Sequence, residues 1–313
     1  MIDIDDIVAA AGRISGMIRR TPVIDATALK APVAEGCALT LKLELLQVTG
    51  SFKARGASNR LLSMDRAGLA RGIVTASGGN HGIAVARAGH MAGVSATIFL
   101  PSTATPAKVE KLKAWGADTR IVGEAWEDAN AAALEFAGAT GAVYFHPFAD
   151  PEVVAGQGTV GLEILEEVPG VDTVLVAMGG GGLVSGVATA IKARAPTVSV
   201  VGIEAAGSPV LLRSVEAGAN MALERVTTSV ATMACAKTDE RIFEIVRDKV
   251  DAIVLVDDDE MREAARWLWF EMGLAADLSG AAAIAALRRG RYAPRAGERL
   301  CAIVCGAGPD AIV

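Results

Sequence analysis

Apolar, β-branched runs alternate with longer Ala-rich stretches of helical period over most of this sequence, and that alternation constrains the fold more than any single residue does. Strands joined by helix-length connections pair in parallel, so the pattern predicts an α/β architecture of two open, mainly parallel twisted sheets wrapped by helices. The runs LTLKLE, GIVTAS, SATIFL, DTRIVG, AVYFHP, DTVLVAM, VSVVGIE, AIVLVD and LCAIVC read as strands, with helices such as 80–92, 106–115, 124–139, 183–194 and 259–272 between them. Four of the strands lie between residues 73 and 145 and suffice for a small sheet of their own; the chain then returns to a larger one.

Composition narrows the class. A chain of 313 residues has material for about two domains. With 52% hydrophobic and 21% charged residues it is globular rather than disordered. A formal net charge of -6 argues against nucleic acid or an anionic membrane as the main partner. The opening MIDIDDIVAA carries acids where an export signal needs bases, so the cytoplasm is the expected location. Residues 173–191 are uncharged, but GGGG interrupts them and would break a membrane helix. Cys37, Cys235, Cys301 and Cys305 form no CxxC pair, and His81, His90 and His146 are widely spaced, so no zinc site is expected. Along a strand Cys301 and Cys305 would stand ~13 Å apart, too far for a disulfide.

One lysine stands out. In TGSFKARGASNRL, Ala57, Leu61 and Leu62 recur at helical spacing after Ala54, and Ser51 is placed to cap the helix, which puts Lys53 in its first turn. The helix macrodipole is positive at that end and disfavours an ammonium. Lys53 therefore reads either as a surface lysine reaching water or as an amine kept neutral for attack on a carbonyl.

Three glycine-rich turns lie at strand ends, where open α/β sheets bind ligands at helix N-termini. In TASGGNHG, Ser77, Gly78, Gly79, Asn80 and His81 bridge a strand to a helix; in VAMGGGGLVSG, Gly179 to Gly182 precede another; AIVCGAGPD ends a third strand. Such turns suit a carboxylate or phosphate, but tight connections need glycine in any case. Leu183 falls where a G-x-G-x-x-G fingerprint needs glycine, and no P-loop lysine follows, so a dinucleotide or ATP is not indicated.

An anchored phosphate, a carboxylate cradle and a reactive lysine together suggest pyridoxal phosphate. The segments SFKARGA, SGGNHG, FHPF with AGQGTVGLEILEE, and GGGGLVSG resemble, in order and spacing from about Ala11 to the C-terminus, the fold-type II pyridoxal-phosphate enzymes (tryptophan synthase beta-like), in their serine/threonine dehydratase and serine racemase branch. The resemblance implies a large cofactor-binding domain, 1–50 and 147–313, and a small domain, 51–146, that carries the substrate carboxylate loop. It implies that Lys53 forms the internal aldimine and later takes the Cα proton. Phe52 would pack on the cofactor ring, Asn80 would bond its hydroxyl, and Gly179, Gly180, Gly181, Gly182 and Leu183 would hold the phosphate. Ser77, Gly78, Gly79, Asn80 and His81 would hold the substrate carboxylate. Cys305 stands where the family usually has a serine facing the pyridine nitrogen, and a neutral thiol leaves the ring a moderate electron sink, which suits β-elimination.

Departures from the family pattern are equally specific. Gly78 replaces the second serine of serine racemases, so little racemisation is expected. Thr232-Met233 replace an Asp-Gly, Asp277-Leu278 replace a Glu-Pro, and Gly308 replaces an Asn, which leaves substrate identity open. Glu204 matches the first ligand of a divalent cation site, but Val210 stands where a second acid belongs, so no metal is expected and Glu204 reads as a solvated strand-end acid. His146 is expected to make a structural hydrogen bond. The expected activity is a pyridoxal-phosphate lyase that converts L-threonine or L-serine to a 2-keto acid and ammonia. Alternatives are a dehydratase for 3-hydroxyaspartate or an osmolyte-derived hydroxy amino acid, and a non-catalytic binder. The family habit suggests a homodimer or homotetramer. The sequence closes soon after CGAGPD, so no isoleucine-sensing regulatory domain is expected.

Overall fold

The computed structural model describes residues 2–310. In chain order it runs α1 (Ile4–Ile14), β1 (Val23–Asp25), β2 (Ala38–Lys42), α2 (Lys53–Leu62), β3 (Ile73–Ala76), α3 (Asn80–Ala92), β4 (Ala96–Leu100), α4 (Pro106–Ala114), β5 (Asp118–Ile121), α5 (Trp126–Thr140) and β6 (Val143–Tyr144). It continues with α6 (Pro151–Glu167), β7 (Thr173–Met178), α7 (Gly182–Arg194), β8 (Ser199–Ala205), α8 (Val210–Ala217), α9 (Glu240–Lys249), β9 (Ala252–Val256), α10 (Asp258–Met272), α11 (Leu278–Arg288) and β10 (Arg299–Ile303).

The strands form two sheets, six-stranded in the order β1-β2-β10-β7-β8-β9 and four-stranded in the order β5-β4-β3-β6. Every pairing is parallel except β1 with β2. Helices on both faces explain why β7 and β4 are buried along their whole lengths. In the large sheet the order reverses between β7 and β10; in the small sheet it reverses at β3. Open α/β sheets bind ligands at the carboxyl ends of strands at such points. Those ends lead into residues 179–182, 304–308 and 77–79, which are the three glycine-rich turns.

Helix α2 sits between the sheets and packs on α6. A Cβ at Gly56 would meet the Val153 carbonyl at 2.7 Å, and one at Gly156 would meet the Arg55 carbonyl at 2.8 Å, so this crossing needs glycine on both helices. The start of α2 differs from the sequence expectation. Ser51 is extended (φ -162°, ψ 161°) and its buried hydroxyl has no partner. The strand end after β10 captures this segment: Ser51 bridges Gly306, Phe52 N donates to the Cys305 carbonyl at 3.2 Å, and Ala307 N donates to the Gly50 carbonyl at 2.8 Å. That pairing draws Ser51 out of capping geometry, so α2 begins without a side-chain cap. Thr49 (φ 67°) holds a strained left-handed conformation in the turn just before it.

Candidate active site

Fixed to β10 in this way, α2 presents Lys53 at its first position. The Lys53 ammonium donates to the Pro147 carbonyl at 2.7 Å and lies 5.1 Å from the Phe52 ring centroid. Among the described residues no carboxylate pairs with it. Burial lowers its pKa to about 8, with Cys305 and Cys235 opposing weakly. About one lysine in ten is then neutral at pH 7, against fewer than ~1 in 1,000 for an ordinary lysine. This favours the second of the two readings of Lys53.

Residues 145–148 join the parts of the site. The Phe145 carbonyl lies 3.2 Å from His81 Nε2, the Pro147 carbonyl accepts from Lys53, and Phe148 packs on the glycine loop. A Cβ at Gly180 would enter the Phe148 ring, and one at Gly182 would meet the Phe148 carbonyl at 2.6 Å. Gly181 takes φ 91°, which turns the chain into α7, and Thr238 Oγ1 donates to the Gly180 carbonyl at 2.8 Å. Leu183 is buried in the first turn of α7.

On the other side, Gly79 precedes α3 and its N–H reaches Ser77 Oγ at 3.3 Å. His81 is buried; burial first and Lys53 second push its pKa down to about 3, so the ring is neutral. Its Nε2 must carry the proton to bond the Phe145 carbonyl, which leaves buried Nδ1 without a partner. Asn80 Nδ2 donates to Asp277 Oδ2 at 3.1 Å. A Cβ at Gly78 would come within 2.8 Å of the Leu100 side chain.

Cys305 is buried, its thiol 3.8 Å from Ser279 Oγ; burial and then Asp277 push its pKa well up, so it is a neutral thiol. His146 Nδ1 accepts from Phe148 N at 3.3 Å and Ala149 N at 3.0 Å, and burial lowers its pKa to about 4. It shapes the 146–149 turn.

The sequence reading of Glu204 requires correction. It is fully buried in β8, and its carboxylate accepts from Leu211 N at 2.8 Å and Leu212 N at 3.0 Å at the start of α8. It is a helix cap rather than a solvated acid, because the missing second acid leaves free N–H groups as its partners. Among the described residues no cluster of potential metal ligands occurs, and no helix is long and apolar enough to cross a membrane. Sequence reasoning also passed over Phe148 and Ser279, and it noted Asp277 only as a departure. The quoted FHPF motif contained the signal for Phe148.

The arrangement fits an anionic, aldehyde-bearing cofactor. Helices α2, α3 and α7 start here without side-chain caps, as α4 and α6 do elsewhere, whereas α1, α9, α10 and α11 are capped by Asp3, Asp239, Asp257 and Asp277. Uncapped N–H groups at α7 suit a phosphate and those at α3 a carboxylate. The partnerless His81 Nδ1 and Ser51 Oγ leave further capacity for hydrogen bonds.

Comparison with known proteins agrees. Residues 14–306 match the family model described as pyridoxal-phosphate dependent enzyme. The chain is 38% identical to the L-threonine ammonia-lyase of Geobacter sulfurreducens over 95% of its own length and 73% of the relative's. It is 37% identical to the phenylserine dehydratase of Ralstonia pickettii, covering 99% and 94%. The structure of maize serine racemase superposes with a TM-score of 0.92 at 35% identity, covering 97% of this chain and 93% of that one.

Proposed function

Since this chain belongs to the pyridoxal-phosphate dependent enzyme family, with the family's fold and lyase chemistry, we propose that it dehydrates and deaminates a β-hydroxy amino acid, L-threonine or L-serine, to a 2-keto acid and ammonia. The observation that carries this reading is a lysine with no carboxylate partner among the described residues and a pKa near 8, joined through residues 145–148 to two helix starts that carry no side-chain cap.

In this reading Lys53 and residues 179–183 hold the cofactor, with Phe52, Asn80 and Cys305 around its ring, and residues 77–81 hold the substrate carboxylate. Residues 51–146 form the small domain, and 1–50 with 147–313 the large one. Bound pyridoxal phosphate supplies an electron sink for the charge that develops at Cα. Neutral Lys53 takes the Cα proton. Once charged, it is one acid able to protonate the departing hydroxyl, the cofactor phosphate being the other. The Cα–H and Cβ–O bonds break, water leaves, and the enamine released is hydrolysed to keto acid and ammonia. Cys305, as a neutral thiol, leaves the ring a moderate sink, which suits early loss of the hydroxyl over prolonged carbanion lifetime. His81, His146, Cys235 and Cys305, which surround Lys53 electrostatically, are neutral at pH 7, which favours a monocarboxylic substrate over 3-hydroxyaspartate.

A keto-acid release screen over L-threonine, L-serine, phenylserine and 3-hydroxyaspartate tests the proposal. Turnover is expected with the first two. Release from 3-hydroxyaspartate alone would refute the assignment. Gly78 offers no proton on the face opposite Lys53, so chiral analysis is expected to show D/L exchange far slower than keto-acid release.

A further inference from the structure

Asp277 makes a contact that the proposed chemistry does not ask of it. Its Oδ1 accepts from Gly280 N at 2.6 Å and Ser279 Oγ at 2.7 Å, capping α11 on the large sheet. Its Oδ2 accepts from Asn80 Nδ2, the first residue of α3 on the small sheet. One carboxylate thus joins helix starts that belong to different sheets.

The backbone on the large-sheet side is fixed independently of that contact. Asp277 N donates to the Gly306 carbonyl at 3.0 Å, Gly308 N donates to the Ala275 carbonyl at 3.1 Å, and Ala276 bridges Ala307. Asp277 cannot follow Asn80 if α3 shifts, so the contact exists in one arrangement of the two sheets. The surroundings are cut to admit it: a Cβ at Gly306 would fall 2.5 Å from Asp277 Oδ2 and 3.1 Å from Asn80 Nδ2, and one at Gly308 would fall 2.8 Å from Asp277 Cβ. Two departures from the family pattern, Asp277 and Gly308, are therefore one feature, because a side chain at 308 would compete for the space Asp277 occupies. All three partners are donors, so the ionised carboxylate is the form that satisfies them together.

The geometry points to Asp277 as a positioning residue, a clasp between the two sheets that acts through Asn80 to hold the start of α3, and the 77–81 loop with it, in register with Lys53. What that loop binds rests on the function proposed above; the clasp itself does not.

Hydrogen exchange read by mass spectrometry on the cofactor-loaded protein separates the two. Asp277→Asn keeps the size of the side chain but turns an amide donor toward either Asn80 or the α11 start. Exchange over residues 77–84 is expected to rise about tenfold, the loss of one hydrogen bond to a charged group. The same substitution in an Asn80→Ala background is expected to add nothing further there. The KM for the amino acid should rise several-fold while kcat changes less than about twofold. A rise confined to residues 278–284 would make Asp277 a helix cap alone and overturn the inference, as would equal rises at 77–84 in both backgrounds. If Asp277→Asn does not fold, Gly306→Ala inserts a methyl 2.5 Å from Asp277 Oδ2 and 3.0 Å from its Cγ, and exchange over 77–84 is read against exchange over 278–284, which reports the α11 cap. An unchanged 77–84 in that variant overturns the clasp, and a rise supports it.

Discussion

Two cations two positions apart on α2 are treated in opposite ways. Arg55, fully buried, spends all five of its N–H donors: on Glu44 at 2.8 and 2.7 Å, on Glu163 at 2.6 and 2.9 Å, and on Thr159 at 3.1 Å. Burial alone would lower its pKa, yet Glu44 and Glu163 hold it above the ordinary value. Beside it buried Lys42 donates to the Thr21 carbonyl, Glu163 and Glu167, each at 2.7 Å. Lys53, half-buried, has one carbonyl and no carboxylate, and its pKa falls. A desolvated cation given counter-charges becomes a structural tie; a partly buried one without them becomes an amine ready to react.

The largest effects should come from exchanging these roles. Lys53→Met is expected to lower kcat/KM by at least about 10³-fold, the loss of a general base and covalent anchor. Its effect on stability has the opposite sign to intuition. The folded-state pKa of Lys53 lies below its unfolded value, so between about pH 8 and pH 10 the unfolded chain binds a proton that the folded chain does not. Native stability of the cofactor-free protein therefore rises with pH across that window, and Lys53→Met should remove the rise; urea unfolding of the apo protein at pH 7 and 10 measures it. Arg55→Met should act in reverse, costing about 3–5 kcal/mol because fully buried Glu44 loses its counter-charge while Glu163 keeps only Lys42. Whatever folded protein remains should keep most of its kcat. Equal losses of stability in both variants would erase the distinction.

How much of this was legible in the sequence follows the same division. The β-branched runs marked nine of the strands, most clearly those buried along their length, as β7 and β4 are, while β5 was marked by its sequence although it is mostly exposed. Strand β1 went unmarked, since three partly exposed residues carry no period. Lys53 and the glycine turns were readable because chemistry fixes residue type at short spacing. Ser51 misled because the partner that pulls it out of a capping position, Gly306, is remote in sequence. Glu204 misled for a related reason: the α8 amides that satisfy it belong to backbone, which no side-chain pattern announces. Contacts that join distant segments through hydrogen bonds leave little local trace, and Asn80 with Asp277 is the clearest case.

A smaller effect should follow from giving Lys53 the counter-charge it lacks. Cys235 acts on it electrostatically and is held neutral, its own pKa raised by burial to about 11. Cys235→Asp is expected to raise the pKa of Lys53 by about one unit. Acylation of Lys53 by an amine-directed reagent in apo protein, followed by peptide mass spectrometry across pH, should then show its midpoint move from about 8 in the parent toward 9. An unmoved midpoint would mean that lack of a carboxylate is not what keeps this amine reactive.

The smallest effect belongs to an acid that falls between the two cases. Glu204 is as buried as Arg55, but backbone dipoles at the start of α8 compensate it instead of an opposite charge. Burial raises its pKa to about 7, against the lowering by the Leu211 and Leu212 amides, so dipoles alone do not offset desolvation. Between about pH 4.5 and 7 the unfolded chain has released this proton while the folded chain keeps it, so stability conferred at low pH is lost as pH rises through 7. The expected slope is about 1 kcal/mol per pH unit in that window, and Glu204→Gln should flatten it; unfolding in urea at pH 5.5, 6.5 and 7.5 compares the two. Parallel slopes would show that the α8 amides compensate Glu204 as fully as Glu44 and Glu163 compensate Arg55. Leu211 also backs the glycine loop, since a Cβ at Gly181 would meet its side chain at 3.0 Å. Ionisation of Glu204 as pH rises through 7 therefore acts first on the wall behind that loop and leaves Lys53 where α2 and β10 hold it.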